Sequence, residues 1–272
     1  MRFDVITLFP ELFGPHLTQG ITRRAFDSGQ VDVHLWPLRE FAEDSYRRVD
    51  DRPYGGGPGM VMLAEPLQRA IAAVRLQRPA AAAAPPVVHF TPTGRPLTQA
   101  LVRQLAAEPG AGAILLCGRY EGIDQRLLDA EVTLEISLGD FVLSGGELPA
   151  LALLDAVARL QPGVLTEASH QQDSFSDAEG LLDCPHYSRP ERLATAAGFL
   201  PVPPMLLSGH HGQIARWRRD QSLLITAQRR PALIAAARAA GQLSKADEKT
   251  LASLSLGSVP DSNPPDQSGT GL

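Results

Sequence analysis

Three glycine-bearing loops carry the residues best placed to grip a small ligand. Residues 91–96 read T-P-T-G-R-P, residues 117–122 read C-G-R-Y-E-G, and residues 137–149 read S-L-G-D-F-V-L-S-G-G-E-L-P. Each follows an apolar, β-branched run that reads as a strand. In a parallel sheet such loops gather at the carboxyl ends of the strands, where open α/β folds bind ligands. Glycine there lets backbone N–H and C=O groups approach a flat ligand. Three plain turns are the competing reading. The chain has no G-x-x-x-x-G-K-[ST] and no G-x-G-x-x-G, and the run G-G-G-P-G at 55–59 lacks the spacing and the helix that should follow. That argues against a P-loop triphosphate or a dinucleotide and leaves open an adenosine-like ligand held by backbone edges.

Metal and nucleophile chemistry find less support. The seven histidines include no H-E-x-x-H pair, and the adjacent His210 and His211 cannot share a helix face as i, i+4 ligands would. No metal ligands are assigned. Ser144 lies in V-L-S-G-G rather than G-x-S-x-G. Cys184 and His186, in C-P-H, read as structural. Among polar residues, Asp173 in S-H-Q-Q-D-S-F, Asp183 in L-L-D-C-P-H-Y and Arg159 before Pro162 are candidates. Each has a plain alternative: Asp173 as a helix N-cap, Arg159 as a charge favoured by a helix C-terminus.

The elements that must position these residues alternate over the first 160 positions. Residues 3–9, 31–36, 87–90, 113–117 and 132–138 read as strands. Leu67, Ile71 and Val74 stand at i, i+4, i+7, and Leu97, Leu101 and Leu105 at i, i+4, i+8, marking helices between them. Residues 147–160 are apolar nearly all round, as in a buried helix. The alternation predicts an α/β domain with a mostly parallel sheet flanked by helices. The Ala/Pro run 78–86 reads as a surface loop.

From residue 161 the texture changes. Residues 165–180 are polar and aperiodic, and read as a flexible linker between domain 1–164 and a second domain, 181–256. Residues 189–197, 210–228, 231–240 and 245–254 look helical, with Pro190 suited to a first turn and Ile214, Trp217, Gln221 and Leu224 marking one face. The second domain is therefore expected to be small and all-α. Residues 257–272 hold two aliphatic residues and read as a disordered tail.

The 272-residue chain is 44% apolar and 20% charged, with room for a large core. It has no apolar run of membrane-spanning length and no signal-peptide pattern. Its only cysteines, Cys117 and Cys184, exclude a disulfide framework and fit a cytoplasmic protein. The net charge of −5 hides an asymmetry. Residues 181–240 hold eight arginines against three acids, a local +5 that leaves −10 elsewhere. A basic partner-binding segment on an acidic body is one reading. Codon bias is the other, because only two of the 25 basic residues are lysine.

V-D-D-R-P-Y-G-G-G-P-G-M at 49–60, C-G-R-Y-E-G-I-D at 117–124, G-D-F-V-L-S-G-G-E-L-P-A at 139–150 and G-L-L-D-C-P-H-Y-S-R-P-E at 180–191 resemble the bacterial tRNA (guanine-N1)-methyltransferases, the TrmD family of the knotted SPOUT class. The resemblance runs in order from residue 1 to about residue 254. It implies a deep trefoil knot in the first domain, built from the three glycine loops and binding S-adenosylmethionine in a bent form. It assigns cofactor contacts to Gly118 and to Leu138, Gly139, Asp140, Phe141, Val142 and Leu143, with Pro92, Tyr120, Glu121, Gly145 and Gly146 nearby. It implies an obligate homodimer whose active sites are shared between subunits. The target implied is N1 of the guanosine at position 37 of tRNA, next to the anticodon. Asp173 matches the general base, Arg159 the catalytic arginine, and Asp183 a substrate-binding residue of the second domain. Magnesium is associated with the family, but no dedicated ligand cluster is visible. Leu138 and Phe141 stand where Ile and Tyr are expected, and residues 173–180 run two residues long. A knotted ribose 2′-O-methyltransferase and a non-catalytic RNA-binding module are the alternatives; the first should lack D-S-F and L-L-D-C-P-H-Y, the second should have lost Asp173 or Arg159.

Overall fold

The computed structural model describes residues 1–78, 84–107, 112–166, 173–176 and 179–254. The expected tail and parts of the Ala/Pro run and of the linker lie outside them. The chain forms two compact units, Met1–His170 and Gln171–Leu272.

The first unit is built on strands β1 (Arg2–Thr7), β2 (Asp32–Pro37), β3 (Asp50–Asp51), β4 (Val61–Met62), β5 (Val87–Pro96), β6 (Ile114–Leu116) and β7 (Leu134–Ser137). Five of them make one parallel sheet in the order β2-β1-β6-β5-β7, and β3 and β4 pair separately. Helices α1 (Gly14–Thr18), α2 (Arg23–Asp27), α3 (Ala64–Gln77), α4 (Gln99–Ala107), α5 (Gln125–Glu131) and α6 (Glu147–Arg159) connect them. The central strands are apolar on both faces because both are covered. On one side Phe3, Val5 and Leu115 pack with Leu153, Leu154 and Val157 of α6. On the other, Ile6, Ile114 and Leu116 pack with Leu67, Ile71 and Val74 of α3.

One buried charge sits among these strands. Asp4, on β1, accepts from Trp36 Nε1 at 2.8 Å, from Arg2 Nη2 at 2.7 Å and from Arg78 Nε at 2.7 Å. Arg78 also donates to the carbonyls of Arg2 and Ala113, so the residue after α3 is fastened to the starts of β1 and β6. A fully buried carboxylate is tolerated because cations and donors saturate it.

The second unit corrects an expectation. Residues 192–201 are not helical: β8 (Arg192–Thr195) and β9 (Gly198–Pro201) form an antiparallel hairpin, with Leu193 opposite Leu200 and Ala194 opposite Phe199. The unit is therefore not all-α. Ala194, Ala196 and Ala197 supply helix propensity, but the stretch is bounded by Gly198 at φ +118° and Pro201, too short for a helix to become stable. Pro190 starts no helix. The remaining elements are helices Pro204–Leu207, His211–Arg229, Pro231–Ala239 and Lys245–Leu254. Their core is Leu181, Leu223, Ile234 and Ala237. The long helix buries Leu223 and Thr226, whereas the predicted face at Ile214, Trp217, Gln221 and Leu224 is only half-buried. Three arginines of the basic segment are engaged inside the unit: Arg216 with Asp220 and Asp247, Arg219 with Glu179 and Asp247, and Arg238 with Glu248.

Candidate functional site

A cavity of about 290 Å³ opens beside the carboxyl ends of β6 and β7 and the middle of β5, where the expected first loop, 91–96, is instead the irregular outer half of that strand. Its lining includes Pro92 within β5, Gly118, Tyr120 and Glu121 after β6, and Leu138, Gly139, Phe141, Val142, Leu143, Gly145 and Gly146 after β7. Thus eleven of the twelve residues singled out for a cofactor lie around one space. Asp140 is exposed and outside the lining.

The second and third loops are stitched together through backbone. Gly146 N donates to the Gly118 carbonyl at 2.9 Å, and Arg119 and Gly145 form an antiparallel bridge. A Cβ on Gly146 would sit 2.7 Å from Cys117 Cα, so only glycine permits this approach. Tyr120, beside the stitch, adopts φ +60°, a left-handed conformation rare for an aromatic residue.

Beneath the stitch lies a charged strut that the sequence did not announce. Glu147, 1% exposed at the start of α6, accepts from Thr7 Oγ1 at 2.8 Å and pairs with Arg119 Nε at 2.9 Å. Arg119 also donates to the Ser144 carbonyl at 3.2 Å, and its guanidinium lies 4.5 Å above the Phe9 ring. Together the two side chains tie β1, α6 and two cavity loops. The available signal was an acid opening a helix that is apolar nearly all round.

A valine at position 145 tests this geometry. Its Cβ would press into the Arg119 side chain and stand 2.6 Å from Glu147 Oε2. We expect Gly145→Val to keep the sheet but displace Arg119 and narrow the cavity. Calorimetry with S-adenosylmethionine should then register at least tenfold weaker binding; unchanged affinity would remove this loop from the ligand site.

Two further groups shape the site chemically. Burial pushes the Cys117 thiol well up, so it is an inert packing group and not a nucleophile. His89, also unforeseen, is 7% exposed and is part of the cavity lining. Burial lowers its pKa below the ordinary imidazole value, against the opposing effect of Glu135.

The other candidates lie elsewhere. Arg159 is the last residue of α6, in the first unit, and is not part of the cavity lining. Asp173 belongs to the second unit, where its carbonyl accepts from Ser176 N at 3.0 Å and opens a turn. That turn is docked on the segment carrying Asp183: Phe175 N donates to the Leu181 carbonyl at 2.8 Å, and Asp183 N to Ser174 Oγ at 2.9 Å. Asp183 also accepts from Cys184 N at 2.6 Å and pairs with His186 Nε2 at 2.7 Å. Asp173 and Asp183 are thus neighbours on one local scaffold.

Comparison with known proteins then decides the family. Residues 1–236 match the family described as tRNA (Guanine-1)-methyltransferase TrmD. The chain belongs to the TrmD family. It is 72% identical, over 94% of its length and all of the relative's, to a tRNA (guanine-N(1)-)-methyltransferase of Leptothrix cholodnii. It is 68% identical to the protein of that name from Methylibium petroleiphilum (93% of this chain, 98% of the other) and 58% identical to that from Bordetella pertussis, with the same shares. The TrmD match spans the cavity loops, the Asp173 turn, Asp183 and the hairpin.

Proposed function

We propose that this TrmD-family chain transfers a methyl group from S-adenosylmethionine to N1 of guanosine 37 in tRNA. The observation that carries the reading is the convergence of three glycine-bearing segments on one cavity in a chain with this family membership. The residues present suit the donor. The cavity volume falls at the lower edge of small-molecule sites, as a folded ligand would need. Its lining includes Gly118, Gly139, Gly145 and Gly146, which place no side chain between a purine and the main chain, and Leu138, Phe141 and Val142, which offer apolar contact. The donor supplies an electrophilic methyl on a sulfonium that leaves as a neutral thioether, so no acid is required.

The chain's own task is to make guanine N1 nucleophilic. In neutral guanine N1 carries a proton, and as that proton leaves, negative charge develops on O6. An unperturbed Asp, with a pKa of about 3.9, is a weak base. Asp173 serves as base when a cation stabilises O6 at the same moment, the role assigned to Arg159. Asp183 belongs to the substrate-binding side, and the arginines of residues 181–240 outside the ion pairs described above suit tRNA phosphates. In this reading the first unit carries the trefoil knot, the enzyme is a cytoplasmic homodimer, and each active site draws on both subunits.

Magnesium fits poorly. Among the described residues one trio could hold a metal ion: Asp183, Cys184 and His186. A thiol and an imidazole are not the oxygen donors magnesium prefers. No described helix is long and apolar enough to cross a membrane.

The test is direct. The protein is incubated with methyl-labelled S-adenosylmethionine and an unmodified tRNA transcript, and the digested product is analysed. Label is expected in 1-methylguanosine at position 37 and should vanish when that guanosine is replaced. Label on a ribose hydroxyl, or none with a folded protein, would overturn the reading.

A further inference from the structure

His89 occupies a position that the described function leaves unused. It lies on β5 directly opposite Glu135 of β7 in the sheet register. Its Nδ1 is 3.4 Å from Glu135 Oε1. A carboxylate only accepts, so in neutral His89 the proton sits on Nδ1 and Nε2 is left as an acceptor. Nε2 faces the backbone of Gly118: a Cβ built there would stand 3.3 Å from it. Among the described residues Nε2 has no hydrogen-bond partner, and its side chain forms part of the cavity lining. A lone pair of this kind, on a side chain almost removed from water, suits a ligand hydroxyl or amino group.

We propose that neutral His89 supplies an acceptor nitrogen to the methyl-donor cavity, engaging an N–H or O–H of the adenosine portion, and that protonating it weakens donor binding. The inference rests on the proposed function, since it presumes that the cavity takes an adenosine derivative. The titratable and charged groups around the imidazole are Glu135 on β7 and, on the loop after β6, Cys117, Arg119, Tyr120 and Glu121. Cys117 stays a thiol, Arg119 is engaged with Glu147, and Tyr120 is pushed up by burial and by Asp50. Glu121 is the remaining ionisable group of the wall.

The sign follows from the tautomer. Above the His89 pKa the acceptor is present and affinity is full. Below it Nε2 carries a proton, and affinity falls with pH. Burial lowers the pKa, so the fall begins beneath the ordinary value of about 6.5.

Calorimetric titration of the full chain with S-adenosylhomocysteine and with 5′-methylthioadenosine, from pH 5.5 to 8, tests this. The second ligand lacks the amino-acid tail and does not itself titrate in that range. Wild type should bind both ligands at pH 8 and lose affinity for both by the same factor as pH drops. His89→Phe should bind roughly tenfold more weakly at pH 8, with little further loss in acid. His89→Gln, whose amide oxygen can accept, should stay close to wild type at pH 8 and also be flat. Glu135→Gln should move the wild-type fall to lower pH. A pH-flat wild type, wild-type affinity in His89→Phe at pH 8 or an undiminished acid fall in His89→Gln would overturn the role of His89. Melting curves of each variant show whether it is folded, and the wild-type titration needs no variant. Failure of both ligands to bind wild type at pH 8 would instead overturn the cavity reading itself, and the proposal with it.

Discussion

Asp173→Asn is expected to reduce single-turnover methyl transfer by roughly 10²–10⁴, the usual cost of losing a general base. Asparagine preserves size and polarity but cannot take the N1 proton as a carboxylate does. The turn around residue 173 uses the residue's carbonyl, which the substitution retains. Because Asp173 is not part of the cavity lining, S-adenosylmethionine affinity should be unchanged. The wild-type single-turnover rate should climb with pH in the neutral-to-alkaline range, because guanine N1–H is a weak acid. A variant that is folded, binds the donor and transfers methyl at nearly the wild-type rate would sink the assignment. Asp183, held by the same local scaffold, would be the next residue to replace.

Glu147→Ala should cost the protein about 3–5 kcal/mol of stability, the range seen when one member of a buried ion pair is removed. Glu147 is almost wholly buried, and its loss would leave the Arg119 guanidinium without its carboxylate partner and the Thr7 hydroxyl without its acceptor. In a unit of this size that loss corresponds to a melting temperature lower by roughly 10 °C. Donor binding should weaken in parallel, since the arginine that spans both cavity loops would no longer be fixed. Thermal unfolding combined with calorimetry checks both arms. A melting temperature within a degree or two of wild type would mean that the strut carries little of the load.

These particulars mark what a linear reading can reach. Strands β1 and β6 were legible because strands covered on both faces are mostly apolar runs, and the edge strands β2 and β7 because apolar residues still dominate around Asp32, His34 and Glu135. Helix α3 was legible because Leu67, Ile71 and Val74 keep strict helical spacing. The loop residues could be named because three strand-like runs are each followed by a glycine-bearing segment. Glu147, Arg119 and His89 were not legible. Each owes its place to a partner far away in sequence: Thr7 is 140 residues from Glu147, and Glu135 is 46 from His89. The hairpin was missed because alanine favours helices in isolation, whereas Gly198 and the prolines around the segment decide its shape. The buried face of the long helix was misplaced for a related reason. Thr226 is buried by donating its hydroxyl to the Ser222 carbonyl and accepting from Leu182 N, which an apolar count cannot detect.

The fastening of Arg78 to Asp4, Arg2 and Ala113 also bears on how such a chain can diversify. The backbone is pinned at residue 78, and again where Ile114 N donates to the Pro86 carbonyl and Val87 N to Thr133 Oγ1. Between two fixed posts, the number of residues is nearly free: doubling the length of a connecting loop adds only about 0.6 kcal/mol of closure entropy. An insertion there moves neither post, so the sheet and the three glycine-bearing segments at its far end are insulated from it. Insertions of different lengths there are expected to leave donor affinity unchanged. For the same reason it is a sound place to insert a reporter sequence into a working enzyme.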